Sequence, residues 1–174
     1  MALSKTEQAW KNSLRTGNEE EVLKTLKKIA ENADIALLED IIYQRAFSKF
    51  ESVKKETQRI LENLKVSGAE DVFIKFLKDQ AYENIRPQLL SAFWHSNLDA
   101  SGNLEELINI ALRSKDYMVG FECLTIIENN PSGFEENELL QSIQEIQTYL
   151  EMNHPQKSLL ENIKEALSHQ LTDR

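Results

Sequence analysis

Few side chains in this chain have the types and spacing that chemistry requires. His95 and Asp99 are four residues apart, which places them on one face of a helix, where they would serve as an acid–base pair. No nucleophile, glycine elbow or second histidine lies near them in the sequence. We therefore expect a structural role for His95, because a histidine near a helix C-terminus meets free backbone carbonyls.

The remaining potential nucleophiles and metal ligands are isolated from one another. Cys123 is the single cysteine and lies beside Leu124 and Ile127, so we expect a buried, unreactive thiol. The other two histidines, His154 and His169, have no histidine partner at helical spacing. One cysteine excludes an internal disulfide and a cysteine-based zinc site. The sequence thus predicts no catalytic site, no cofactor and no metal, and we expect the protein not to be an enzyme.

The distribution of charge is the strongest functional signal. Residues 1–87 carry 15 acidic and 15 basic side chains, whereas residues 88–174 carry 14 and 5, so the whole net charge of −9 belongs to the C-terminal half. No Lys or Arg occurs between Lys115 and Lys157. Because charge patterns bear on partners more directly than on fold, the acidic region 116–156 predicts a protein partner with a basic or mixed-charge surface.

Three glutamates of this acidic region, Glu135, Glu136 and Glu138, are close together. They fall in the first turn of a predicted helix, where negative charge is favourable, and this explains them better than a metal site does. We include them in the predicted partner-binding surface. The alternative for the whole acidic region is that its charge only aids solubility.

Basic residues form two clusters in the N-terminal half. They are Lys24, Lys27 and Lys28, and Lys54, Lys55 and Arg59. Glutamates at helical spacing offset both clusters. Binding of nucleic acid depends on neutralising phosphates with a net basic surface, so nucleic acid is disfavoured as a partner.

Length and composition predict a single all-α domain over residues 1–174. Hydrophobic residues make up 41% of the chain and charged residues 28%, which suits a buried core and a polar surface. Trp10 and Trp94 are expected to anchor that core. No apolar run approaches the length of a membrane span, and the first residues lack the apolar stretch of a signal peptide. A cytoplasmic location without a membrane partner is expected.

Apolar residues recur at steps of three and four throughout the chain, which is typical of helices. Together with the breakers between them, they predict ten helices at about 4–15, 19–31, 34–48, 51–66, 69–81, 84–97, 103–114, 116–129, 135–152 and 156–170. The third and fourth are alternatively one long helix. Asp34, Ser101 or Asn103, and Asp116 are predicted N-caps, and Pro87 suits a first helical turn.

The chain contains an internal repeat with a shift of 34 residues. This shift places Phe73, Ile74 and Leu77 onto Leu107, Ile108 and Ala111. It also places a polar stripe, Asn84, Gln88, Ser91 and His95, onto Met118, Glu122, Thr125 and Asn129. Stacked helical hairpins require this pattern, in which core positions align with core positions and surface positions with surface positions.

The segment 84–93, with Arg86 after an aliphatic residue and then Leu90 and Ala92, resembles the second helix of a HEAT repeat. The next such helix starts at Asp116, but Gly120 stands where the arginine would be. The resemblance to the HEAT-repeat family and its armadillo-like relatives covers residues 69–130, and residues 19–48 more weakly. It implies a short right-handed α-solenoid with flanking helices. The alternative fold is an irregular antiparallel helical bundle.

The resemblance also implies a function, because solenoids of this type mostly bind other proteins through the second helix of each unit. The surface implied here consists of Gln88, Ser91, His95, Glu122, Thr125 and Asn129. We therefore expect a small scaffold or adaptor. The alternatives are a self-assembling structural protein, possible if the two halves of different charge associate, and a HEAT-like enzyme that removes alkylated bases from DNA.

Overall fold

The computed structural model describes residues 3–32, 35–66, 68–152 and 155–172, and all regular structure within these ranges is helical. The α-helices are α1 (Lys5–Thr16), α2 (Glu19–Asn32), α3 (Leu38–Phe47), α4 (Glu51–Leu61), α5 (Ala69–Lys78), α6 (Arg86–His95), α7 (Leu104–Arg113), α8 (Tyr117–Asn129), α9 (Glu136–Glu151) and α10 (Lys157–Thr172). Two 3₁₀ segments, Ile35–Leu37 and Gln80–Ile85, precede α3 and α6. The prediction of an all-α protein is confirmed.

Most helix boundaries lie within four residues of the prediction, but the predicted helix 51–66 is wrong at its C-terminal end, because α4 ends at Leu61. The predicted helix 69–81 ends at Lys78, because the Asp79 side chain accepts a hydrogen bond from the Ala81 amide and begins the 3₁₀ segment. The sixth helix begins at Arg86 and so holds Pro87 in its first turn, as predicted. Residues 48–50 separate α3 from α4, so the alternative of one long helix is wrong.

The predicted caps have different outcomes. The Asp116 carboxylate accepts from the Met118 amide at 2.9 Å and caps α8 as predicted. Asn103 stands at the start of α7, but its side chain makes no capping bond. Ser101 uses its amide and hydroxyl to donate to Asp99. Asp34, the cap predicted for the third helix, lies outside the described residues.

The helices pack in a regular order along the chain. Consecutive helices pair as α1 with α2, α3 with α4, α5 with α6, α7 with α8, and α9 with α10. Each odd-numbered helix also packs on the next odd-numbered helix, and each even-numbered helix on the next even-numbered one. The described helices therefore form an odd row and an even row. Buried apolar side chains between the rows form one cluster from Leu14 to Leu167.

Close approach at one point fixes α10 against α8. A Cβ on Gly120 would lie 2.6 Å from Cδ2 of Leu159, so the absence of a side chain lets these two helices come together. The Gln170 amide then donates to the Ile127 carbonyl at 2.7 Å, near the other end of α8. Gly120, which interrupts the repeat pattern in the sequence, is thus explained by packing.

Polar contacts join neighbouring helices of the odd row. Asp40 on α3 is buried, with 6% of its surface exposed, and forms ion pairs with Lys11 at 3.3 Å and with Arg15 at 3.1 Å, both on α1. Glu39, the preceding residue, pairs with Lys75 on α5 at 2.6 Å, but this pair is exposed. Two adjacent carboxylates therefore connect α3 to the helix on either side of it.

None of the helices within the described ranges is both long enough and apolar enough to cross a membrane.

The two adjacent carboxylates allow a test of this packing. Asp40→Asn should lower the free energy of unfolding by about 1–3 kcal/mol, because it removes a buried charge from ion pairs with two cations. Glu39→Gln, the matched control, should cost less than about 1 kcal/mol because its ion pair is exposed to solvent. Urea denaturation measures both. Equal losses for the two variants would contradict the position of Asp40 at the α1–α3 contact.

Candidate functional site

The structure brings the two predicted polar stripes together on α6 and α8, which are neighbours in the even row. A hydrogen bond joins them directly, because the Trp94 indole N–H on α6 donates to Oε2 of Glu122 on α8 at 2.8 Å. His95 and Asn129 are exposed, and Ser91 is half-buried. We call the outward sides of these two helices the α6–α8 face.

Gln88 lies at the edge of this face rather than on it. Its backbone carbonyl accepts from Nε2 of Gln58 on α4 at 3.0 Å. Its side-chain Oε1 is buried and has no hydrogen-bond partner among the described residues. Gln88 is therefore part of the contact between α4 and α6.

Several polar side chains of the face are bonded to their own helix. The Thr125 hydroxyl donates to the Phe121 carbonyl, and the Asn129 amide donates to the Thr125 carbonyl at 2.8 Å. Nδ1 of His95 lies 2.8 Å from the Ser91 carbonyl, and since a carbonyl only accepts, Nδ1 carries the proton. These bonds occupy donors that a polar ligand would otherwise use.

The exposed side of α8 also carries large apolar side chains. Met118 belongs to the predicted stripe, whereas sequence reasoning missed Tyr117 and Phe121. The exposed fractions of Tyr117, Met118 and Phe121 are 57%, 45% and 44%. The sequence contains a signal for Tyr117 and Phe121. They are four residues apart and so share one side of α8, and this side differs from the buried side on which Cys123 and Ile127 lie. The α6–α8 face is thus partly apolar, rather than polar throughout.

The glutamates at the start of α9 lie on the odd row, away from the α6–α8 face. Glu135 and Glu138 form a capping box, in which Oε2 of Glu138 accepts from the Glu135 amide at 3.0 Å. Glu138 also lines a cleft of about 80 Å³ with three acidic residues of α7 and α9, which are Glu105, Glu106 and Glu145. Glu136 is exposed, and its side chain has no hydrogen bond or ion pair within the described residues.

His95 and Asp99 do not form an acid–base pair. The imidazole of His95 stacks on Trp94, with ring centroids 3.8 Å apart. Asp99 instead accepts from Ser101 and from Ser132, and these hydrogen bonds lower the pKa of its carboxyl group. Asp99 therefore holds the loop after α6 against the loop after α8.

Ion pairs engage two residues of the second basic cluster of the N-terminal half. Lys54 pairs with Glu51 at 2.8 Å, and Arg59 pairs with Glu56 at 2.6 Å. Arg86, which carried the HEAT resemblance, donates from Nε to the Leu77 carbonyl at 3.0 Å and so ties α6 to α5. A cleft of about 310 Å³ beside it has a mixed lining of Lys78, Arg113, Glu105 and Glu106.

A second exposed aromatic cluster lies on the odd row. Tyr43 and Phe47 of α3 are each 48% exposed, and Phe47 contacts the ring of Tyr82 at a centroid distance of 5.3 Å. Burial raises the pKa of the Tyr82 hydroxyl. Lys75 and Lys49 lie over Phe76 and Phe50 respectively, and Glu39 and Asp79 are also near Tyr82. The surroundings of this cluster are therefore of mixed charge.

Among the described residues, no three His, Cys, Asp or Glu side chains are grouped so that they could hold a metal ion. His154, one of the three histidines, lies outside those residues. Comparison with protein-family models, curated proteins and solved structures finds no match to this chain.

Cys123 offers a test of the packing beneath α8. It is fully buried, and this burial raises the pKa of its thiol far above the usual range, so the thiol stays protonated up to strongly alkaline pH. We expect almost no reaction with a thiol-specific disulfide reagent at pH 8 in the native state, and complete reaction in denaturant. Rapid modification of the native protein would contradict the position of Cys123.

Proposed function

We propose that this chain is a protein-binding module built as a short, right-handed, HEAT-like α-solenoid of five helical hairpins, and that it is not an enzyme. The order of helix packing supports the architecture, because each described helix packs on its hairpin partner and on the next helix of its own row. The 34-residue repeat supports the same arrangement, since it aligns α5 with α7 and α6 with α8.

The observation that carries the binding function is the exposed side of α8. It combines large apolar side chains with glutamates, in a stretch of chain where no cation occurs between Lys115 and Lys157. A soluble protein has no folding reason to expose such a cluster, and exposed apolar patches with polar rims mark interaction sites. The partner that fits is a protein with a basic or mixed-charge surface, because complementary charge accelerates association and excludes like-charged competitors. We infer a scaffold or adaptor role, and the cytoplasm is the location we propose for it.

Charge reversal on two glutamates tests the proposal. Glu128 in the last turn of α8 and Glu136 in the first turn of α9 are exposed, and neither is hydrogen-bonded or ion-paired within the described ranges. Glu128→Lys with Glu136→Lys should abolish capture of the partner from an extract of the source cells. Mass spectrometry identifies the captured proteins, and about 0.5 M salt should release them from the wild type as well.

The matched control reverses two glutamates of α2. Glu20 and Glu31 stand in the first and last turn of that helix and are also exposed, so Glu20→Lys with Glu31→Lys makes the same change in charge and in helix-dipole energy. This control should capture the partner as the wild type does. Equal capture by all three proteins would contradict an acidic binding surface. Light scattering that shows salt-sensitive oligomers, or binding of duplex DNA at moderate salt, would support self-assembly or the nucleic-acid enzyme instead.

A further inference from the structure

The exposed apolar side chains of α8 are not required by the packing of the hairpins. Phe121 comes four residues after Tyr117 and three after Met118, so the three side chains lie on one side of the helix and form what we call the α8 apolar cluster. At the 34-residue shift they align with Glu83, Asn84 and Pro87 of the preceding hairpin. That hairpin packs without any large apolar side chain at these positions, so the cluster distinguishes α8 from its repeat partner.

A carboxylate and an aromatic ring border the α8 apolar cluster on the side of α6. Glu122 follows Phe121 directly and lies one helical turn after Met118. Its Oε2 accepts from the Trp94 indole, whereas its Oε1 receives no hydrogen bond from the part of the chain that the structure describes. The bond to Trp94 fixes the orientation of the carboxylate, so Oε1 can receive a cation without a large loss of side-chain freedom.

The charges around the cluster decide which occupant it fits. Glu122 and Glu128 are on α8 itself, and α8 contains no basic residue. Two copies of the chain that met symmetrically through this face would bring one acidic α8 against another, which is unfavourable because neither helix supplies a cation. An apolar surface next to an oriented carboxylate and a tryptophan ring suits aliphatic side chains that alternate with Lys or Arg.

We propose that the α8 apolar cluster, with Trp94 and Glu122, binds an amphipathic basic segment of the partner protein. Aliphatic side chains of that segment lie on Met118 and Phe121, and a Lys or Arg binds Oε1 of Glu122 beside the Trp94 ring. This inference rests on the proposed function and specifies the chemistry of its partner. The mode resembles other grooves in which an amphipathic helix lays its apolar face on an apolar surface.

A synthetic peptide tests the inference without knowledge of the natural partner. The probe is a helical peptide of about 18 residues, or about five turns, with Leu on one face and Lys on the other. Trp10→Phe leaves Trp94 as the single tryptophan of the chain. Titration with the peptide at physiological salt should shift the fluorescence of Trp94 and give a saturable dissociation constant.

Three variants identify the binding residues. Phe121→Ser should weaken binding by about tenfold or more, as expected for a central apolar contact. Phe47→Ser is the matched control, because Phe47 is equally exposed but lies in the other row, and it should bind as the wild type does. Glu122→Gln keeps an oxygen that accepts from Trp94 but removes the charge, and should weaken binding about three- to tenfold.

Two further peptides separate the apolar and charged contributions. Replacing every Leu by Ser, or every Lys by Glu, should each weaken binding by about tenfold or more.

Absence of binding by the Leu/Lys peptide, equal binding by the Leu/Glu peptide, or equal losses from Phe121→Ser and Phe47→Ser would each overturn the inference. A dimer of the chain alone that Phe121→Ser dissociates would also overturn it, because the occupant would then be a second copy. Circular dichroism and urea denaturation show whether each variant is folded, and Met118→Ser replaces Phe121→Ser if it is not.

The results distinguish this inference from the proposed function. If reversal of Glu128 and Glu136 abolishes capture while Phe121→Ser leaves peptide binding unchanged, the proposed function stands and the inference is wrong. If the peptide binds through Phe121 and Glu122 but no cellular protein depends on the acidic surface, the proposed function is wrong and the face recognises basic amphipathic segments for another purpose.

Discussion

Each helix buries an apolar stripe of its surface, and neighbouring helices on more than one side cover that stripe. The rest of the structure depends on this burial. Helices of 10 to 16 residues, the range found here for α1 to α10, are marginal as isolated helices in water. Each is stabilised by its hairpin partner and by the next helix of its own row. Burial therefore determines which side of every helix remains open, and a large apolar side chain on an open side needs another explanation.

The sequence predicts the helices well because helical periodicity and breakers are local signals. All ten predicted helices are present, and the separation of α3 from α4, which periodicity left open, results from an irregular segment at residues 48–50. Even Gly120, a departure from the repeat pattern, is explained by its contact with Leu159. That contact joins residues far apart in the sequence, so no local pattern could have indicated it.

The candidate site was predicted only in part, for a physical reason. Alignment of the repeat identifies the polar positions that α6 and α8 share, and Glu122 and His95 do lie on the α6–α8 face. The alignment cannot identify side chains that are present on only one of the two helices, and the apolar residues Tyr117 and Phe121 are side chains of this kind. Trp94 was expected only as a core anchor, yet its ring is half-buried against the core while its N–H orients a surface carboxylate.

The packing order of the helices has a consequence for how the chain folds. Contacts between helices that are adjacent or next but one along the chain have small sequence separations, and proteins dominated by such contacts fold quickly. A hairpin in the middle of the chain gains neighbours on both sides, whereas α1 with α2, and α9 with α10, gain them on one side only. We therefore expect the end hairpins to open first in hydrogen exchange. Of their helices, α10 should open less readily than α1, because the missing side chain at Gly120 lets α10 pack closely on α8.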